Sequence, residues 1–195
     1  MTNTRPRILA IQAGLGGAEG NGAALLAHAL EHLAPLADVE HAVLAEAPGF
    51  TPHRAALERA DAIVIVSGTY WDGFSSLLQR FFEEATETEG TPLWLGKPVA
   101  CLISAHSAGG KAVLSRLQGV LVTLGASIPP MGGLVVTMAA QIAIEHATRE
   151  EAADLWCVED LEIVCHNLLV AARSDRSAYR AWHVDRRDPM RRWLR

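Results

Sequence analysis

The chain of 195 residues lacks any run of about eighteen uncharged apolar residues, and its opening "MTNTRPR" carries no secretory-type apolar core. Both absences set the expectation of a soluble, cytoplasmic protein. Cysteine is scarce. Cys101, Cys157 and Cys165 are odd in number, sit in apolar segments and show no Cys-x-x-Cys spacing, so they read as reduced core residues rather than a disulfide framework or metal site. Positive charge is also scarce outside the C-terminus. From Arg173 onward eight arginines meet three acids, a net +5, which leaves −10 on the rest of a chain whose total is −5. An acidic body argues against general nucleic-acid binding, which depends on Lys and Arg neutralising phosphates.

Several nucleotide and hydrolase motifs are incomplete. The dinucleotide pattern begins at Gly14 and Gly16 but meets Glu19 where the third glycine belongs, and an acid beside a pyrophosphate repels it. "AHSAGGKA" has Ala105 at the first glycine of a P-loop and Ala112 at its magnesium-binding hydroxyl. No Gly-x-Ser-x-Gly elbow is present. His28 and His32 lie one helical turn apart but lack the Glu beside the first His that a zincin needs, and they read as surface residues.

What is present is a strand and helix alternation in a chain half of whose residues are apolar, enough to bury one core. "RILAIQA" reads as a buried strand, followed by Leu26, Ala29, Leu30 and Leu33 at helical spacing until Pro35. "VEHAVL" is a second strand, "HRAALERA" a short helix and "DAIVIVSG" a strand covered on both faces. Phe74, Leu77, Leu78 and Phe81 mark an amphipathic helix. "KPVACLISA" is a strand, "AVLSRLQGVLVTLG" a helix, "ASIPPMGGLVVT" extended, and a last long helix spans residues 149–172. The expected class is α/β, a doubly wound parallel sheet of about five strands with helices on both faces, because parallel neighbours need crossovers. One domain is expected over residues 1–172, with a basic, aromatic tail over 173–195.

Ligands of such sheets sit beyond the carboxyl ends of the strands. Three glycine-rich loops leave those ends: 14–22, 68–73 and 104–111. The first leads into a helix N-terminus that suits a phosphate. The second carries Thr69, Tyr70 and Trp71 just before the helix of Phe74, where a flat aromatic ligand finds both apolar surface and backbone hydrogen bonds. A mononucleotide site is the reading that remains.

The order and spacing of "GNGAALLAHAL", "DAIVIVSGTYWDGFSSLLQRFFEEA" and "GKPVACLISAHSAGGKAVLSRLQGVLVTLGASIPP" resemble the flavodoxin-like NAD(P)H-dependent FMN reductases over about residues 7–129. The resemblance implies a flavodoxin-like fold, bound FMN, NAD(P)H as hydride donor and a homodimer. The acceptor it implies is a small quinone, flavin, azo or metal compound. By position, Gly14, Gly16, Gly17, Asn21 and Gly22 would meet the FMN phosphate. Thr69, Tyr70, Trp71, Asp72 and Gly73 would line the ring and ribityl chain. His106, Ser107, Gly109 and Gly110 would approach the pyrimidine edge. No side chain is needed for acid–base work in hydride transfer itself, and Asp72 also reads as the cap of a helix starting at Gly73.

The chain departs from the family pattern. Gly14 stands where serine is common and Gly22 where Thr or Ser follows the Asn. No basic residue lies between Arg7 and Arg54, Glu19 adds a negative charge, and Gly68-Thr69 replaces the proline before the tyrosine. Loss of charge-assisted bonds implies a weakened hold on phosphate. A flavodoxin-like binding or regulatory module without tight FMN binding is therefore the alternative. The arginines and aromatics of the tail read as an arm onto a partner subunit.

Overall fold

The structure is a computed structural model that describes residues 5–183. Five parallel strands, β1 (Arg7–Gln12), β2 (Asp38–Val43), β3 (Ala62–Gly68), β4 (Val99–Ala105) and β5 (Gly133–Thr137), form one sheet in the order β2-β1-β3-β4-β5. Strand side chains alternate between faces, so the inner strands feed two cores at once. Leu9, Ile11, Ile63, Ile65, Val99, Cys101 and Ile103 pack on one side with Leu57, Leu78, Phe81, Trp94, Val113, Leu117 and Leu121. These come from α2 (Arg54–Arg59), α3 (Ser76–Ala85), α4 (Gly110–Leu124) and the loop before β4. On the other side Ile8, Ala10, Val64, Val66 and Leu102 meet Leu25, Leu26, Ala29 and Leu33 of α1 (Asn21–Leu33) and Leu161, Val164 and Leu168 of α7 (Leu161–Ala172). Burial drives the thiol of Cys101 well above its ordinary range and pushes that of Cys165 up to about 12, so both act as inert packing groups.

Two expected helices differ. Residues 149–172 do not form one helix. A short α6 (Arg149–Ala152), started by a reciprocal Thr148 and Glu151 cap, buries nothing. The chain restarts where Cys157 N–H donates to the Asp160 carboxylate at 2.9 Å, and only α7 carries an apolar face into the core. Helix α3 begins at Ser76 rather than Gly73, because Ser75 Oγ accepts from Leu78 N–H at 3.1 Å. Asp72 therefore does not cap it. An unforeseen α5 (Met138–His146) follows β5, capped by Thr137.

The tail packs on its own chain as far as it is described. At the amino-terminal edge of the sheet, a Cβ at Gly96 would meet Tyr179 at 2.5 Å and Arg176 at 2.9 Å, and one at Gly90 would meet Ala181 at 2.9 Å. Trp182 Nε1 donates to Glu89 at 2.8 Å. Residues 176–182 thus lie as an internal strap on their own chain, while residues 184–195, with most of the tail's arginines, lie outside the described residues.

Beneath this strap Lys97 is 1% exposed and donates to the Leu57 carbonyl. Burial, aided by the nearby Arg176 charge, lowers its pKa to about 8. Its folded pKa lies below its unfolded value, so the unfolded chain binds more protons between these values and stability rises with pH there. Thermal melts should show a Tm that climbs from pH 8 to pH 10 in the native protein and loses that climb in Lys97→Met. An identical slope in both proteins would refute the assignment.

Candidate functional site

Helix α1 starts at Asn21 with Gly20 in the capping position and no side-chain cap, leaving its first N–H groups open. The loop before it closes on itself, since a Cβ at Gly16 would lie 3.0 Å from Gly20 Cα. Only glycine allows that approach. Beside it, Gly68 at the end of β3 lies under the Tyr70 ring, where a Cβ would come within 3.0 Å of Cε2. This contact gives a physical reason for Gly68 in a segment where the family commonly has proline. The Tyr70 hydroxyl reaches back to accept the Leu15 N–H at 3.1 Å.

Tyr70 and Gly73 exchange both backbone hydrogen bonds, at 2.8 and 2.9 Å, around Trp71 and Asp72. Both central residues have positive φ, +47° and +58°, the requirement of a type I′ turn usually met by Asn and Gly. A tryptophan there is strained, and Trp71 is fully exposed. The turn spends conformational energy to hold an indole above the strand ends. The Asp72 carboxylate lies toward α4, 2.4 Å from where a Cβ on Gly109 would stand. Gly109 itself has φ +82°.

These loops enclose a cavity of about 290 Å³ lined by Gln12, Gly14, Gly16, Gly20, Asn21, Gly22, Gly68, Thr69, Tyr70, Ser104, Ala105 and His106. The structure thus gathers Gly14, Gly16, Asn21, Gly22, Thr69, Tyr70 and His106 of the expected set. Gly17 stands behind the first loop, its carbonyl accepting from Gln12. Trp71 and Asp72 form the tip of the turn, Gly73 faces a neighbouring cleft, and Ser107 is exposed. Gly110 turns inward, where a Cβ would strike Val135 at 2.4 Å, so that glycine seats α4 on β5.

Gln12 was missed by sequence reasoning. It is the one polar residue of β1 after Arg7, and it ends the strand at the cavity. It is 2% exposed, and its Nε2 donates to Gly17 O at 2.8 Å. Cβ atoms at Gly14 and Gly22 would lie 3.2 and 3.4 Å from that nitrogen. The amide therefore occupies the space that side chains at 14 and 22 would take. Gln12 Oε1 and Thr69 Oγ1 are both buried without a hydrogen-bond partner. Buried oxygens of this kind call for a donor, a water or a ligand, beyond the described residues. Open α1 amides, a Cβ-free cradle, two orphaned oxygens and an aromatic wall fit a flavin mononucleotide.

A second cleft of about 300 Å³ adjoins the first, with Tyr70 as the shared wall and Leu15, Gly73, Phe74, Ser76, Gln79 and Arg116 around it. Arg116 makes no ion pair or side-chain hydrogen bond among the described residues.

The family model described as NADPH-dependent FMN reductase matches residues 6–141. The chain belongs to that family. Its cofactors are FMN and NAD(P)H, and the protein is an NAD(P)H-dependent FMN reductase-like oxidoreductase. Among solved structures, the apo form of the NADH:FMN oxidoreductase EMOB is similar at TM-score 0.66 and 17% identity, covering 90% of this chain and 94% of that one. RosB bound to 8-demethyl-8-formylriboflavin-5′-phosphate is similar at TM-score 0.65 and 13% identity, over 97% and 95%. An oxidoreductase from Corynebacterium diphtheriae gives TM-score 0.64 and 19% identity, over 87% and 98%. No protein of curated function matches the sequence. At these identities the structures establish the shared flavodoxin-like fold.

Replacing Trp71 with glycine should raise stability by about 0.5–1 kcal/mol, since it relieves the positive φ and gives up no packing. Chemical denaturation measures it. A loss of stability would show that the indole is held by contacts rather than by the turn.

Proposed function

We propose that the cavity at the carboxyl edge holds FMN, and that the protein passes a hydride equivalent from NAD(P)H to a small acceptor such as a quinone, flavin, azo or metal compound. The observation that carries this reading is the pair of orphaned oxygens, Gln12 Oε1 and Thr69 Oγ1, in one glycine-floored cavity. When bound, FMN supplies the redox chemistry: it accepts the hydride and yields it onward. The chain's residues bind and orient. Gly14, Gly16, Gly17, Asn21 and Gly22 with Gln12 hold the phosphate end, Thr69, Tyr70, Trp71, Asp72 and Gly73 the ring and ribityl chain. His106, Ser107, Gly109 and Gly110 border the pyrimidine edge. Trp71 offers a flat apolar surface to whatever stacks above the strand ends. Arg116, in the adjoining cleft, suits the phosphates of the nicotinamide donor.

A homodimer working in the cytoplasm fits this reading. Helix α5, which follows β5 at the same edge, buries none of its residues and exposes Met138 and Ile142, beside a surface that also exposes Trp156. No helix among the described residues is long and apolar enough to cross a membrane.

Adding FMN to the purified protein should quench flavin fluorescence, and NADH or NADPH should then bleach the visible flavin bands. Arg116→Ala should raise KM for the nicotinamide about tenfold with kcat little changed, as loss of one charge-assisted contact implies. Absence of FMN binding would reject the enzyme reading in favour of a binding or regulatory module. Sedimentation should give a mass about twice the 21.0 kDa of one chain.

A further inference from the structure

Residues 176–182 close over the amino-terminal edge of the sheet with side chains alone. Among the described residues no backbone–backbone hydrogen bond joins them to the rest of the fold, and the bond from Tyr179 N–H to the Arg176 carbonyl is internal to the strap. The Tyr179 ring and the Arg176 Cβ sit over Gly96, the Ala181 methyl sits over Gly90, and the Trp182 indole N–H donates to Glu89. Gly90 and Gly96 have φ of +66° and +69°, so the seats are glycine positions on backbone grounds as well. Tyr179 stays 57% exposed and Trp182 64%, so docking removes only part of each ring from water. A segment with few buried apolar contacts and no backbone bonds to its support opens at low free energy, without unfolding what lies beneath.

Beneath it lies Lys97, 1% exposed, its ammonium donating to the Leu57 carbonyl. Charged groups act on it from three places: Arg176 on the strap, Glu58 on α2 and Asp61 in the bend before β3. The two carboxylates favour the charged amine, yet burial and Arg176 outweigh them and hold its pKa at about 8. Neither Lys97 nor Arg176 forms an ion pair among the described residues, and Arg176 Nη1 is buried without a hydrogen-bond partner. The strap thus brings a second cation to a buried one.

We propose that strap 176–182 is a latch coupled to the Lys97 proton, opening locally while the amine is charged and closing more tightly once the proton is lost. Opening returns the amine toward water and carries Arg176 away, so the pKa of Lys97 is higher in the open form than in the closed one. The open form therefore binds more protons between the two values. Closure strengthens as pH rises from about 8 and is weakest, and level, below that. Nothing in this latch depends on what the carboxyl-edge cavity holds.

The test is trypsin cleavage of the full chain after Arg176 and Arg180 at about pH 7.5 and about pH 9.5, a window below the ordinary tyrosine pKa of about 10. At each pH the rate is divided by that of Tyr179→Ala/Trp182→Ala, whose strap has lost its anchors, so that the protease's own pH dependence cancels. Protection of the native strap should grow about tenfold across the window, the equivalent of one linked pKa unit, and stay level in Lys97→Met. Equal protection at both pH values, or growth of the same size in Lys97→Met, would overturn the latch. Lysine-detected NMR gives the reciprocal readout and needs no change at Lys97. The Lys97 pKa should rise by about one unit in Tyr179→Ala/Trp182→Ala. An unchanged value would show that the body of the protein alone desolvates the amine, and would also overturn the latch.

Discussion

Parallel pairing of five strands is the constraint on which the rest depends. Each parallel neighbour needs a crossover that returns the chain to the same edge. The crossovers cover both faces of the sheet, which is why β3 and β4 read as nearly continuous apolar runs. The order β2-β1-β3-β4-β5 sets the carboxyl ends of β1, β3 and β4 side by side, and the chain runs outward from β1 to β2 and then back across it to β3. Such a reversal opens a crevice between the loops, the usual place for a ligand in this architecture.

Within that crevice the protein departs from a charge-based phosphate site. The floor is glycine, the walls are Tyr70, His106 and small residues, and no Lys, Arg, Asp or Glu lines it. Gln12 takes on two tasks. One arm of its amide ties down the Gly17 carbonyl, and the other is buried without a donor among the described residues. Strain is concentrated next door, in a two-residue turn whose central positions are a tryptophan and an aspartate at positive φ. Local rules broken at one edge, above a sheet that obeys them, are what a binding site looks like in physical terms. The opposite edge is conventional except for Lys97, buried under the tail strap and donating to the Leu57 carbonyl.

Much of this was legible in the residues. Period-two and period-3.6 apolar patterns located all five strands and most helices, since burial on two faces leaves a dense signal. The three glycine loops marked the right edge. What was not legible follows from tertiary contacts. Nothing local distinguishes the restart at Cys157 from a continuing helix; the break shows only because residues 149–152 find no core while Leu161 does. Asp72 looked like a helix cap, but Ser75 competes for the role three residues later and wins it through the Leu78 N–H. Gln12 looked like the polar end of a strand, and its importance depends on Gly14, Gly17 and Gly22 folding around it. Tyr179 and Trp182 lie against the chain's own residues 89–96, a pairing across some ninety positions that no local pattern announces.

The proposed flavin site joins the three loops at the carboxyl edge, with Gln12 at its floor. A crystal structure of the protein soaked with FMN tests it most directly. Flavin density is expected in the cavity between Gln12, Thr69 and Tyr70, with a ligand oxygen within hydrogen-bond distance of Gln12 Oε1 and the ring against the Tyr70 and Trp71 turn. Flavin density elsewhere on the molecule, or a bound flavin that leaves Gln12 Oε1 and Thr69 Oγ1 without partners, would contradict it.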